Sequence, residues 1–163
     1  MKEIFISLER CVGCKSCELA CAVQHSQSKT LFAAVAEKPV PRKRIFVEYG
    51  DDKKIPLQCR HCQEAPCIDA CISGALTWDK ENNLVTQTRE KCIGCWMCIM
   101  VCPFGVISRE SESKVAIRCD RCPDLTEPAC VSACPTSALL FTTLEEAEKL
   151  RRRNVIREVL SHD

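Results

Sequence analysis

The sequence contains few of the residues that usually build a protein core. Only eight of its 163 residues are aromatic and only five are glycine, and 59 apolar residues remain once cysteine is set aside. So thin an apolar core for a chain of this length predicts that something besides apolar packing holds the fold together.

What the sequence lacks also excludes several functional classes. It has no apolar run of 18 residues, which excludes a transmembrane helix. Its net charge of +1 provides no basic surface for nucleic acid. The opening MKEIFISLERC contains no signal-peptide segment and no twin-arginine motif, so we expect a cytoplasmic protein. Nucleotide-binding and hydrolase motifs are absent as well, so we expect no catalytic residues.

Cysteine is the residue that the sequence has in excess, at sixteen positions. Eight disulfides are not expected in the cytoplasm, so the cysteines indicate metal binding. They form four groups of four, and every group opens with two intervening residues and closes with three, which indicates an internal repeat. The groups are Cys11, Cys14, Cys17 and Cys21; Cys59, Cys62, Cys67 and Cys71; Cys92, Cys95, Cys98 and Cys102; and Cys119, Cys122, Cys130 and Cys134.

The spacing within these groups favours iron–sulfur clusters. A C-x2-C-x2-C loop turns three thiolates towards one point, and Gly13 and Gly94 suit the unusual dihedral angles of such a turn. The fourth cysteine follows on a short helical turn, which Pro103 and Pro135 end in two of the groups. In bacterial ferredoxins with this spacing, the fourth cysteine ligates the other cluster of a pair. The sequence therefore predicts four [4Fe–4S] clusters.

Two alternatives remain open for the metal, and four other residues have weaker predictions. A [3Fe–4S] or zinc site could replace one of the clusters, or the thiols could be purely structural. The zinc alternative fits the spacing less well, because zinc ribbons separate their C-x2-C pairs by a long hairpin. Trp96 and Met97 are expected to shield a cluster from water. His25 and His61 are expected to lie beside the cysteines without binding iron, because the cysteines already complete every site.

We expect an α+β fold of two ferredoxin-like halves, each holding two clusters, built from short strands and helices. The β-prone runs are 4–6, 45–48, 76–78, 84–86, 106–108, 115–117 and 139–141, with a polar turn at 109–114. The expected domains are a four-cluster domain at 1–141, an insert at 22–58 with a basic loop and a strand, and a C-terminal helix at 142–163. One half contains the groups at 11–21 and 119–134, and the other contains those at 59–71 and 92–102.

Two segments outside the repeat leave their roles open. The basic run Arg42-Lys43-Arg44 is either a solvated loop or a contact surface for an acidic partner. A helix is predicted over 143–160, with a capping box formed by Thr143 and Glu146. Its apolar face packs either on its own domain or on a partner subunit.

Five segments of the sequence resemble a known family, the four-cluster ferredoxin-like electron-transfer subunits of anaerobic oxidoreductases. Within it the chain is most similar to the iron–sulfur protein associated with carbon monoxide dehydrogenase, and it also resembles the iron–sulfur subunits of formate dehydrogenase and formate hydrogenlyase. The segments are CVGCKSCELACAVQHS (11–26), PRKRIFVE (41–48), CRHCQEAPCIDAC (59–71), CIGCWMCIMVCPFGVI (92–107) and CDRCPDLTEPACVSACPTSALLF (119–141).

The resemblance implies that the cysteine groups share clusters in a nested order, the first group with the fourth and the second with the third. Each cluster then takes three cysteines from one group and one from its partner group. The implied sets are a first set of Cys11, Cys14, Cys17 and Cys134; a second of Cys119, Cys122, Cys130 and Cys21; a third of Cys59, Cys62, Cys67 and Cys102; and a fourth of Cys92, Cys95, Cys98 and Cys71.

The resemblance also implies the function of this chain, which would have no active site of its own. It would relay low-potential electrons through four clusters between an anaerobic oxidoreductase and a second redox protein, as one subunit of a hetero-oligomer. The oxidoreductase would be a carbon monoxide dehydrogenase, a formate dehydrogenase or a hydrogenase. The alternative is a zinc-binding or iron–sulfur assembly protein with structural cysteine sites.

Overall fold

The computed structural model describes residues 1–110 and 112–160, and within them short helices alternate with short strands. The fold is therefore α+β, as the sequence predicts. The strands are β1 (Lys2–Ile6), β2 (Ile45–Gly50), β3 (Lys53–Gln58), β4 (Leu76–Asp79), β5 (Leu84–Gln87), β6 (Ser108–Arg109), β7 (Ala116–Ile117) and β8 (Leu139–Thr143). The helices are α1 (Ser16–Gln24), α2 (Leu31–Ala36), α3 (Pro66–Asp69), α4 (Met97–Met100), α5 (Ala129–Ser132) and α6 (Leu144–Leu160).

The described strands form four antiparallel pairs. β1 pairs with β8, so that Ile4 lies opposite Phe141 and the two ends of the cysteine repeat come together. The other pairs, β2 with β3, β4 with β5 and β6 with β7, each join neighbours along the chain. The predicted strand at 106–108 is wrong in its extent, because Val106 and Ile107 are buried in apolar packing while the ladder begins at Ser108. Residue 111 of the predicted polar turn lies outside the described residues.

Two separate apolar clusters contain most of the buried cysteines. The first combines the cysteine helix α1 with α5, β1, β2 and β8, and its members include Cys17, Cys21 and Cys130. The second surrounds Cys98 and draws on β4, β5 and the residues around α3 and β7. Apolar packing thus joins the first cysteine group to the fourth and the second group to the third.

The insert at 22–58 packs against the cysteine helix α1 through its strand β2. Ile45 and Val47 are buried in the first apolar cluster, and the predicted strand at 45–48 lies within β2. The basic run before it is not a freely solvated loop. Lys43 and Arg44 are partly buried, with ion pairs to Glu18 and Asp120, and Arg42 alone of the three is exposed.

The C-terminal helix α6 begins one residue after the predicted start and contacts its own domain. The predicted capping box is present, because the Glu146 N–H donates to Thr143 Oγ1 at 3.4 Å and the Thr143 N–H donates to Glu146 Oε2 at 3.2 Å. Arg151 forms an ion pair with Glu9 at 3.1 Å. Residues 161–163 of the predicted helical domain lie outside the described residues. Across the described part of the chain, no helix has the length and apolarity needed to cross a membrane.

Candidate metal centres

The first and third cysteine loops have the same backbone form. Gly13 has φ of +73° and Gly94 has φ of +68°, which is the left-handed region that favours glycine. A Cβ at Gly94 would lie 2.4 Å from the Lys114 carbonyl oxygen, so a side chain has no room there. Lys15 and Trp96 are also left-handed and directly precede α1 and α4. These turns bring the three cysteines of each loop to one side.

Three of the four implied cysteine sets each line one cavity. The first, third and fourth sets each line a small cavity of about 20 Å³. In each cavity three cysteines come from one group, and the remaining one comes from the group that the resemblance pairs with it. The three cavities therefore repeat one arrangement of four cysteines.

The second set is brought together around Cys21, a buried member of the first apolar cluster. The pKa of the Cys119 thiol is raised to about 12, mainly by burial and in part by the nearby charge of Cys21. The pKa values of Cys122 and Cys130 are raised mainly by burial, and in both cases Cys21 contributes as well. Because these charge effects fall off with distance, Cys21 lies close to all three thiols.

Electrostatic effects between sets reveal their order in space. Cys17 of the first set raises the pKa of Cys130 in the second. Cys59 of the third set raises the pKa of Cys119 in the second. Cys98 of the fourth set likewise raises the pKa of Cys67 in the third set. That pKa reaches about 11, mainly because of burial. The sets are therefore neighbours in the order first, second, third and fourth, in agreement with the packing of Cys17 with Cys130 and of Cys98 with Cys67 in the two apolar clusters.

The two outer sets each expose one thiol to solvent. Cys14 belongs to the first set and Cys95 to the fourth, and both are exposed. The Ser16 hydroxyl and backbone lower the pKa of Cys14. Trp96 lines the cavity of the fourth set, where it covers one side, whereas Met97 is 46% exposed.

Backbone and side-chain N–H groups donate to the sulfurs of the two inner sets. Arg44 N–H donates to Cys21 Sγ at 3.2 Å, and Arg121 N–H donates to Cys119 Sγ at 3.4 Å. Cys59 Sγ accepts two such bonds, from the His61 N–H at 3.4 Å and from the Arg118 guanidinium at 3.2 Å. Donors of this kind stabilise the anionic thiolates that iron requires.

Both histidines lie beside predicted ligands. His25 Nδ1 lies 3.7 Å from Cys21 Sγ, and its Nε2 lies 3.2 Å from Asp120. Burial lowers the pKa of His25, but the bonds to Asp120 and Cys21 outweigh burial and raise it to about 9. His61 is buried, and burial together with Arg118 and Arg121 lowers its pKa to about 3.

Sequence reasoning did not single out Glu18, Arg118 or Asp120, which all contact residues around the cysteines. Glu18 is buried on the cysteine helix α1, Arg118 directly precedes Cys119, and Asp120 directly follows it. The sequence does show a charged residue within or next to a cysteine motif in each case. That position alone does not distinguish a buried charge from a solvated one.

Comparison with known proteins decides the family. The 4Fe-4S dicluster domain family matches residues 52–144, and a 4Fe-4S binding domain matches residues 8–24. The chain belongs to the ferredoxin-like family of [4Fe–4S] electron-transfer proteins. An iron-sulfur protein of Rhodospirillum rubrum is 38% identical, covering 96% of this chain and 90% of its own.

Two further relatives carry electron-transfer names. The electron transport protein HydN of Escherichia coli K12 is 33% identical, covering 94% of this chain and 97% of its own. The thiosulfate reductase electron transfer subunit PhsB of Salmonella typhi is 34% identical, covering 86% of this chain and 74% of its own. In this family the sixteen cysteines and the two domain matches fit four [4Fe–4S] clusters.

Proposed function

We propose that the four cysteine sets each hold one [4Fe–4S] cluster with the nested ligands given above. The shared cavities of the first, third and fourth sets support this pairing, as does the closeness of Cys21 to the other thiols of the second set. The two apolar clusters would then be the two halves of a four-cluster domain over residues 1–141. The insert at 22–58 packs against the first half through β2, and the C-terminal segment at 142–163, which contains α6, follows the domain.

The function that this arrangement supports best is a linear electron relay. One observation carries it, namely that the sets follow one another from exposed Cys14 to exposed Cys95 through the pairs Cys17/Cys130, Cys119/Cys59 and Cys67/Cys98. When bound, each cluster takes up or gives one electron. The protein's own task is to hold the clusters in sequence and to exclude water from the inner sets. Every cysteine serves as a ligand, so no open iron position is left for catalysis.

The partners would dock at the two ends of the relay. An exposed apolar side chain lines the same cavity as each exposed thiol, Val12 (59% exposed) with Cys14 and Ile93 (63% exposed) with Cys95. Exposed apolar side chains beside a redox centre suit a protein partner. We propose that one end contacts a catalytic oxidoreductase subunit and the other a second redox protein, within a cytoplasmic hetero-oligomer. A carbon monoxide dehydrogenase, a formate dehydrogenase or a hydrogenase is the class of catalytic partner that the resemblance favours.

Metal analysis and reductive titration of anaerobically prepared protein test the relay. We expect about sixteen iron and sixteen sulfide per chain, a broad absorption band near ~400 nm, and uptake of about four electrons. Colourless protein with four zinc ions would support the alternative of structural zinc sites. About eight iron would contradict the four-cluster relay.

A further inference from the structure

A single buried arginine links the two inner cysteine sets. Arg118 is only 4% exposed, and it directly precedes Cys119 of the second set in the sequence. Its guanidinium donates to Cys59 Sγ of the third set at 3.2 Å, and to the Val85 carbonyl oxygen. The positive charge therefore lies beside a predicted iron ligand and is largely shielded from solvent.

The guanidinium of Arg118 contacts a cysteine sulfur, whereas the other arginines around it pair with carboxylates. Arg44 pairs with Asp120, and Arg89 pairs with Glu110 at 2.6 Å. Among the side chains that the structure describes, no carboxylate forms an ion pair with Arg118. A buried cation without an anionic partner is costly, so the site requires negative charge on Cys59. An iron-bound thiolate supplies that charge, whereas a neutral thiol does not.

His61 holds the guanidinium in place. Its Nδ1 lies 3.0 Å from an Arg118 nitrogen and also accepts from the Val85 N–H at 3.2 Å. Two donors at Nδ1 leave the ring proton on Nε2, and this buried atom has no partner among the described residues. An unpaired buried N–H on a residue of the loop between Cys59 and Cys62 is the kind of donor that a cluster sulfide satisfies. The donors around Cys59 thus fit a cluster in the third set.

We infer that Arg118, positioned by His61, raises the reduction potential of the cluster held by the third set. This inference rests on the ligand sets of the proposed function. One electron from a donor protein or chemical reductant takes the cluster core from 2+ to 1+, and the added negative charge falls beside the fixed positive charge. The attraction is strong because the guanidinium is buried in a medium of low dielectric constant. An electron on this cluster is therefore held more strongly than it would be without Arg118.

Anaerobic redox titration of the purified holoprotein, followed by EPR, tests this role. Arg118→Gln removes the charge and keeps a planar donor, so we expect one cluster to shift to lower potential while the other three stay unchanged. Arg118→Lys retains the charge and should restore most of the wild-type potential. Arg89→Gln is the matched control, because it removes an equal charge from a side chain that is 48% exposed and paired with Glu110. It should leave all four potentials unchanged.

The outcomes separate this inference from the relay itself. Unchanged potentials in Arg118→Gln protein that retains sixteen irons would overturn the role of Arg118 and leave the relay intact. If Arg118→Gln loses iron, the decision passes to His61→Gln, whose amide N–H replaces the Nε2 donor but offers no acceptor at the Nδ1 position, so that the guanidinium is freed without loss of its charge. With full iron content, a lower potential of the same cluster in His61→Gln supports the inference, and an unchanged one overturns it. A wild-type protein with fewer than four clusters would instead contradict the proposed function.

Discussion

The Lys43 ammonium group lies 2.6 Å from Glu18 Oε2 and ties the insert to the first cysteine helix. The other oxygen of Glu18 accepts from the Val47 N–H at 2.6 Å, so this buried carboxylate fixes both the basic loop and strand β2. Since Glu18 lies between Cys17 and Cys21 on α1, the pair also supports two predicted ligands. Lys43 therefore stabilises the fold around the first two sets.

The first prediction concerns this ion pair. Lys43→Ala leaves the buried Glu18 without its cation, which should cost about 1–3 kcal/mol of stability. We expect the temperature at which the visible absorption bleaches to fall by several degrees. Arg42→Ala is the control, because Arg42 is exposed. Equal bleaching temperatures for the two variants would show that the pair contributes nothing.

A second prediction concerns the glycine of the third cysteine loop. In Gly94→Ala the new Cβ would meet the Lys114 carbonyl oxygen at 2.4 Å, in addition to the strain of a left-handed alanine. We expect this variant to lose about four irons, because the loop that presents three cysteines of the fourth set cannot close. Gly74→Ala is the control, since Gly74 is also left-handed but has nothing within 4 Å of its Cβ position. The prediction fails if both variants retain the same iron content.

The third prediction addresses the nested ligand sets. Cys21→Ser should alter the EPR signal of the cluster held by Cys119, Cys122 and Cys130, and leave the first-set cluster unchanged. Cys134→Ser should have the reciprocal effect, because Cys134 lines the cavity of the first loop. If Cys21→Ser instead perturbs the cluster anchored by Cys11, each cysteine group binds its own cluster.

A fourth prediction concerns removal of the metal. With 59 apolar residues outside cysteine, and with two small apolar clusters arranged around the thiols, the iron–sulfur groups must provide much of the folding free energy. We expect protein stripped with a chelator and acid to lose its secondary structure, as measured by far-UV circular dichroism. A cooperative thermal transition in iron-free protein would contradict this expectation.

The sequence by itself determined the local features of this protein. The spacing of each cysteine group defines a loop, Gly13 and Gly94 provide its left-handed turn, and Thr143 with Glu146 marks the start of the last helix. These features can be predicted because each depends on residues a few positions apart. The resemblance added the family, which the comparisons confirm, and the nested pairing, which stays a prediction.

Only the tertiary structure decided which charged residues are buried beside the cysteines. The sequence could not distinguish a solvated basic run from one held by ion pairs, because Lys43 meets Glu18 across a fold that brings distant segments together. Nor does the position of Arg118 before Cys119 reveal that its guanidinium reaches Cys59, a residue of another group. The electrostatic energy of a charged side chain depends on its burial and on partners far along the chain. Neither can be predicted from the spacing of neighbouring residues in the sequence.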